Sequence, residues 1–159
     1  MKFNKAVKNL FIVLFSTLLI SACSTAKKAK VDTVDDVYTG SETVEFLAKG
    51  VPDRIFFATN KSKLTTASRD TLRKQATWMR KNKNVTVSVE GHADERGTRE
   101  YNLALGERRA NAAKDYLMTY GVSGKRISVI SYGKERPVNP ASSPLAWSQN
   151  RRSVTVKAN

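Results

Sequence analysis

The sequence predicts an α/β (α+β) two-layer sandwich, with two helices on one face of a mixed four-stranded sheet in the order βαβαββ. Three observations lead there. Val85-Thr86-Val87-Ser88-Val89 alternates strictly, as a half-buried strand does. Two stretches carry apolar residues at intervals of three and four, one stripe per helix. These stretches alternate with short apolar runs, and helical crossovers join strands that run parallel.

Each element has its own signal. Ile55-Phe56-Phe57 is a short apolar run that reads as a buried strand. Thr65 or Thr66 can N-cap a helix to about Lys81, with Leu72, Ala76 and Met79 as its core face. The strand at Val85–Val89 follows, then a polar loop from Gly91 to about Glu100. The second helix runs from about Asn102 to Tyr120, striped by Leu103, Gly106, Ala110, Ala113 and Leu117 and stopped by Gly121. Its small residues allow close packing. Ile127–Tyr132 reads as a third strand, Pro137, Pro140 and Pro144 mark a loop, and Ser153–Lys157 reads as a fourth strand. With only two helices, the other sheet face is expected to be partly solvated.

The N-terminus reads as an export signal. Lys2, Lys5 and Lys8 precede an apolar run from Leu10 to Ile20, then Ser21-Ala22 and Cys23, the chain's only cysteine. The run is too short to span a bilayer, which takes about 20 residues. Ile20-Ser21-Ala22-Cys23 resembles a lipobox, which implies acylation of Cys23 and an anchor in a membrane of the bacterial envelope. Ser24 stands where aspartate often directs inner-membrane retention, which favours the outer membrane. The expected organisation is a signal peptide over residues 1–22, a lipidated, flexible tether over 23–52 and one domain over 53–159. The tether is rich in Lys, Asp, Thr and Ser, too polar to fold alone, with Val44-Glu45-Phe46-Leu47 as a short piece that could be ordered.

The formal charge is +14, and loss of residues 1–22 removes three lysines and no acid, leaving +11. Such a surface attracts polyanions. In the cytoplasm that would mean nucleic acid; in the envelope it means phospholipid or lipopolysaccharide headgroups and cell-wall carboxylates. With no cysteine left to pair, the domain has to stand on its packed core.

The chemistry-bearing stretch is Glu90-Gly91-His92-Ala93-Asp94-Glu95-Arg96-Gly97-Thr98, followed by Tyr101-Asn102-Leu103-Ala104-Leu105-Gly106-Glu107-Arg108-Arg109-Ala110-Asn111-Ala112. At 100° per residue, Arg109 flanks the apolar stripe while Arg108 lies nearly opposite it. Arg109 is thus placed to point along a groove, one turn after Leu105, although spacing alone also allows both arginines to be surface charges. His92 is the only histidine, and His92-x-Asp94 lacks the further ligands that a metal site needs. It reads as a hydrogen-bonded structural residue. Glu90 and Glu95 lack a nucleophile beside them, Glu95 and Arg96 read as a loop-bracing ion pair, and Trp78 and Trp147 read as packing residues.

These motifs, with Ser131-Tyr132-Gly133-Lys134-Glu135 and Asn150-Arg151-Arg152-Ser153-Val154, resemble the OmpA-like peptidoglycan-binding domain family, and within it the lipoproteins of the Tol–Pal system. The resemblance covers about Arg54 to Val156 plus the lipobox. It implies non-covalent binding of the diaminopimelate stem peptide of peptidoglycan, without catalysis and with no cofactor. Asp94 matches the aspartate that takes the ammonium, Arg109 the arginine that takes the carboxylate, and Thr98 and Leu105 match further pocket positions. One departure stands out. Thr59 and Asn60 occupy positions that many members fill with Phe and Asp, and Lys63 replaces a frequent acid. TolB, and with it TolA, are the partners that the resemblance implies, in a tether between outer membrane and wall that works in cell division. Two other functions compete: a wall-processing amidase or glycosidase, which needs a metal cluster or carboxylate pair, and a nucleic-acid binder, suggested by charge alone and opposed by the export signal.

Overall fold

The computed structural model describes residues 36–158. The signal peptide, Cys23 and the first part of the tether lie outside the described residues. In chain order the elements are β1 (Phe46–Ala48), β2 (Val51–Pro52), β3 (Arg54–Phe56), α1 (Thr66–Lys81), β4 (Val87–His92), α2 (Arg99–Thr119), β5 (Ile127–Gly133), α3 (Pro144–Asn150) and β6 (Arg152–Lys157), with a 3₁₀ turn at Gly124–Arg126.

The main sheet has the order β3-β6-β4-β5. β4 and β5 are parallel, and β6 runs antiparallel to both β3 and β4. Strands β3, β4 and β5 therefore all point one way, and α1 and α2 return from their C-terminal edge to their N-terminal edge. This is the predicted mixed four-stranded sheet with its two long helices. Thr65 is the N-cap of α1, accepting from the Ser68 N–H at 3.1 Å.

The core lies between α1, α2 and the sheet: Phe57, Leu72, Met79, Val87, Val89 and Leu117 are buried, with Ala76, Ala110 and Ala113 between them. Burying each large side chain contributes roughly 1.5–3 kcal/mol. α2 lies almost on β4, because a Cβ on Gly91 would overlap the Gly106 carbonyl. This close approach brings the N-terminus of α2 to the end of β4, where the candidate site lies.

Two features differ from expectation. Residues 36–52, assigned by composition to the tether, pack on the domain. β1 and β2 pair as a small antiparallel hairpin, and Val37 and Tyr38 bury themselves against Phe56, the Tyr38 and Phe56 rings meeting edge-on at 4.8 Å. A few apolar residues among polar ones suffice, because an exposed edge of the main domain supplies the rest of the surface. The second feature is α3, seven residues long inside the stretch expected to be a loop. Its signal is local: Ser143 caps it, accepting from the Ala146 N–H, and Pro144 fills the first helical position. Both clusters lie wholly within residues 36–158, so this part carries its own core.

Candidate functional site

The site forms at the C-terminal edge of β3 and β4, where three segments meet. The loop after β3 brings Thr59 and Asn60, the loop after β4 brings Asp94, Arg96 and Gly97, and the first turn of α2 brings Tyr101. They line a cleft of about 290 Å³. Asn60 adopts a left-handed backbone at φ +55°, which Asn tolerates through its short polar side chain.

Asp94 is the anionic centre. It is 7% exposed and accepts from Arg96 Nη2 at 2.8 Å, from Arg96 Nε at 3.1 Å, from the Arg96 backbone N–H at 3.2 Å and from Arg151 Nη1 at 3.3 Å. Burial alone would raise its carboxyl; the hydrogen bonds and charge of Arg96, with Arg151, outweigh that and hold it below the ordinary carboxylate range. Asp94 is therefore ionised at neutral pH.

Arg109 sits beneath the cleft, fully buried. Its Nε donates to the Lys61 carbonyl at 2.9 Å, Nη1 to that of His92 at 2.8 Å and Nη2 to that of Ala58 at 3.1 Å. Three of its five donors are thus spent on backbone. Burial, reinforced by Arg151, lowers it to about 10, and it stays protonated. The helical wheel placed Arg109 beside the core pointing along a groove. It points instead under the loop at 58–61, which it fastens to the end of β4. Arg108 is exposed, as the wheel indicated, with its guanidinium 5.9 Å from the Tyr101 ring centroid.

The other expected residues play supporting parts. Thr98 is exposed and N-caps α2, accepting from the Tyr101 N–H at 3.2 Å. Leu105 is buried one turn before Arg109. Thr59 donates its backbone N–H to Asp36 at 2.9 Å, hydrogen-bonds Asp36 again through its hydroxyl, and accepts from Arg96 at 3.2 Å. The N-terminal segment thus delivers a carboxylate beside the position where Asn60 replaces the usual acid. Asp36 also pairs with Arg151 at 3.2 Å.

Arg96, Arg151, Asp36 and Tyr101 were not singled out as cleft residues from sequence. Arg151 caps the C-terminus of α3, so the overlooked helix positions a site residue. Trp147, on the same helix, has the Arg96 guanidinium stacked 4.3 Å from its ring centroid and donates Nε1–H to Glu95 at 2.7 Å. The expected Glu95–Arg96 pair is therefore replaced by two separate contacts, Arg96 with Asp94 and Glu95 with Trp147 and Ser142. These hydrogen bonds hold the Glu95 carboxyl low.

His92 is buried, but no hydrogen bond of good geometry reaches either ring nitrogen; Nε2 lies 3.7 Å from Glu90, and the ring tilts against Tyr132 at 5.6 Å. The ring is held chiefly by packing, with a loose contact to the Arg136 backbone. Burial, with Arg152, Arg54 and Arg136 around it, pushes the imidazole down to about 3. Its backbone, through the Arg109 bond, serves the site. Among the described residues, no group of three or more His, Cys, Asp or Glu is placed to hold a metal ion, and no helix is long and apolar enough to cross a membrane.

Comparison with known proteins agrees with this architecture. The sequence profile of the OmpA family matches residues 56–151. A peptidoglycan-associated lipoprotein of Rhizobium meliloti (strain 1021) is 46% identical over 149 residues, covering 91% of this chain and 85% of the relative. One from Mesorhizobium japonicum is 45% identical, covering 91% and 89%. Among solved structures, the peptidoglycan-associated lipoprotein from Burkholderia pseudomallei superposes with a TM-score of 0.65 at 32% identity, covering 66% of this chain and 89% of that one. The C-terminal domain of Helicobacter pylori MotB shares the fold, with a TM-score of 0.63 at 23% identity. With a family profile over more than half its length and such relatives over nine-tenths of it, this chain belongs to the OmpA family, on the branch of the peptidoglycan-associated lipoproteins.

Proposed function

We propose that this protein is an outer-membrane lipoprotein, anchored through Cys23 in the inner leaflet, whose cleft binds the diaminopimelate end of a peptidoglycan stem peptide and so tethers the membrane to the wall. The observation that carries the reading is Asp94, an ionised carboxylate at the edge of a preformed cleft with Arg96, Arg109 and Arg151 around it. A diaminopimelate terminus bears an ammonium and a carboxylate a few ångströms apart. Asp94 takes the ammonium, displacing part of its contact with Arg96. The carboxylate goes to the guanidinium side of the cleft, to the Arg109 donors not spent on carbonyls and to the released Arg96. Thr98 and Leu105 shape the helix end and the apolar floor, and Thr59 and Asn60 supply the far rim. Each charge-assisted bond contributes roughly 1.5–3 kcal/mol.

The role is binding, not catalysis. Glu95 is engaged with Trp147 and Ser142 while Glu90 lies beside His92, so the two do not face each other as an acid/base pair. Relatives named for peptidoglycan association support the wall as target. TolB and TolA are the partners proposed by the same kinship, with TolB competing for the cleft.

The test is co-sedimentation of residues 36–158 with purified diaminopimelate-type sacculi. Asp94→Asn is expected to lower the affinity at least tenfold, since one charge-assisted contact amounts to about 1.4 kcal/mol or more. Arg109→Lys, which keeps the charge but loses the planar fork, is expected to lower it similarly. Equal sedimentation of folded parent and both variants would reject the cleft as the binding site. Saturating stem peptide that left TolB affinity unchanged would reject the competition.

A further inference from the structure

The end of the domain opposite the cleft is basic and carries exposed aromatic and sulfur side chains. Topology fixes which residues meet there. Lys157 pairs with Val87 at the N-terminal edge of β4, next to Ile127 at the start of β5. α1 and α2 both end at this edge. Arg126 ties them in, donating to the carbonyls of Met79, Asn82 and Val85 at the C-terminus of α1. The segments 71–85, 121–128 and 153–158 that build this end contain no Asp or Glu. Lys74, Arg80, Lys81, Lys83, Lys125 and Lys157 are all exposed there. Two acids lie near them, Asp115 on α2 and Asp70 on α1, and Asp70 is paired with Arg73.

Apolar groups lie among these charges. Trp78 is half-buried in a groove of about 730 Å³ that it shares with Lys74 and Lys81, and the Lys157 ammonium sits 5.3 Å from its ring centroid. Met118 is 44% exposed and Tyr120 36%. The cleft end is built differently: Asp36 and Asp94 pair with its arginines, Arg96 and Arg151.

We propose that this basic end is a docking surface for an anionic phospholipid bilayer, independent of the lipid anchor. Three features fit a lipid surface better than a protein. The cations are long and spread over a whole end, from Lys74 to Lys125 and Lys157, rather than set around one pocket. Tryptophan, tyrosine and methionine stand between them, the mixture that settles at the headgroup level of a membrane. The orientation is also productive. The sixteen residues of α1 at 1.5 Å each put the cleft roughly 25 Å from the basic end, so a domain seated on lipid presents its cleft away from the membrane. The attraction acts within about a Debye length, some 8 Å at physiological salt, so it holds the domain only when the tether brings it close. The proposal goes beyond the wall-binding reading and does not depend on it.

The experiment uses residues 36–158, whose core is complete, and vesicles of phosphatidylcholine with or without 30% phosphatidylglycerol (about one lipid in three). The parent is expected to partition onto the anionic vesicles and not onto the neutral ones, with binding that weakens as salt rises. Lys74→Glu/Lys81→Glu/Lys157→Glu should reduce that partition at least tenfold. A control of equal charge change at other places, Lys63→Glu/Arg69→Glu/Arg108→Glu, should stay within about threefold of the parent. Both triple variants are checked for folding by circular dichroism and by urea unfolding, readouts that do not involve the cleft. Equal loss in the two triple variants would overturn the proposal in favour of bulk charge. Absence of parent binding to anionic vesicles at low salt would overturn it outright. Binding to soluble polyglutamate that depends on the basic end, without binding to vesicles, would overturn it in favour of an acidic protein partner.

Discussion

Arg109 and Arg126 make nearly the same structure at opposite ends of the sheet. Each aims its guanidinium at three backbone carbonyls that the regular ladders leave open: Arg109 at Ala58, Lys61 and His92, Arg126 at Met79, Asn82 and Val85. What differs is the company. Arg126 is part-exposed and, among the described residues, pairs with no carboxylate, so it closes the end of α1. Arg109 is fully buried, lies within the field of Asp94 and Asp36, and holds the loop that forms one rim of the cleft. The same chemistry is a clasp in one place and a clasp under a binding site in the other. A buried arginine acquires function from the acid beside it, not from its own hydrogen bonds.

Substitution should separate the two. Arg109→Ala leaves three buried carbonyls without their donor and Asp94 and Asp36 short of a cation. An expected loss of roughly 3–5 kcal/mol in urea unfolding would follow, together with loss of wall binding. Arg126→Ala exposes its carbonyls partly to water, so roughly 1–2 kcal/mol is expected, with sacculus binding unchanged. Equal stability losses, or loss of wall binding in the Arg126 variant, would break the comparison.

A third effect belongs to the cleft end, at His92, whose carbonyl accepts from Arg109. Its imidazole is pushed from 6.5 down to about 3 in the fold. Between those values the unfolded chain binds a proton that the folded chain refuses, so stability is full above pH 6.5 and is lost as pH falls toward 3. The slope contributed by this group reaches about 1.4 kcal/mol per pH unit. His92→Gln should flatten the unfolding free energy over pH 6.5–4, read by urea titration at each pH. An unchanged slope would place the acid sensitivity in other groups, with Asp94, whose lowered carboxyl acts in the same direction, as the first to examine.

The main sheet and its two long helices were legible because their signals are periodic and local. Val85–Val89 alternates, and Leu72, Ala76 and Met79 recur by turns, whatever lies elsewhere in the chain. The cleft was legible only in part. Asp94 stood out through the family motif, but Arg96 and Arg151 look in sequence like any surface arginine; the stacking of Arg96 on Trp147 and the burial of Arg151 against the Phe57 carbonyl, 94 residues away, are properties of topology. Arg109 shows the limit. Its angle on the helix was read correctly as flanking the core, yet only the fold shows that the loop at 58–61 closes over it. Two short elements escaped for another reason. β1 and β2 have too few residues to show a period, and α3 was hidden by prolines that read as breakers although Pro144 is at the one helical position that welcomes it.

The smallest expected effect concerns Asp36. It joins the N-terminal segment to the cleft through Thr59 and through Arg151, which also holds Asp94. The ion pair is part-exposed, so Asp36→Ala should cost less than about 1 kcal/mol in urea unfolding. Its consequence lies in the cleft. Without Asp36, Arg151 turns its whole charge on Asp94, and Thr59 loses the partner that fixes its backbone N–H. The ammonium of a stem peptide then meets a more fully neutralised Asp94, and affinity for sacculi should fall about twofold to fivefold, an effect of under about 1 kcal/mol. Asp36→Asn keeps the hydrogen bonds to Thr59 but not the charge. Recovery of affinity in that variant would assign Asp36 to positioning the loop, whereas a loss equal to that of Asp36→Ala would assign it to the charge balance around Arg151.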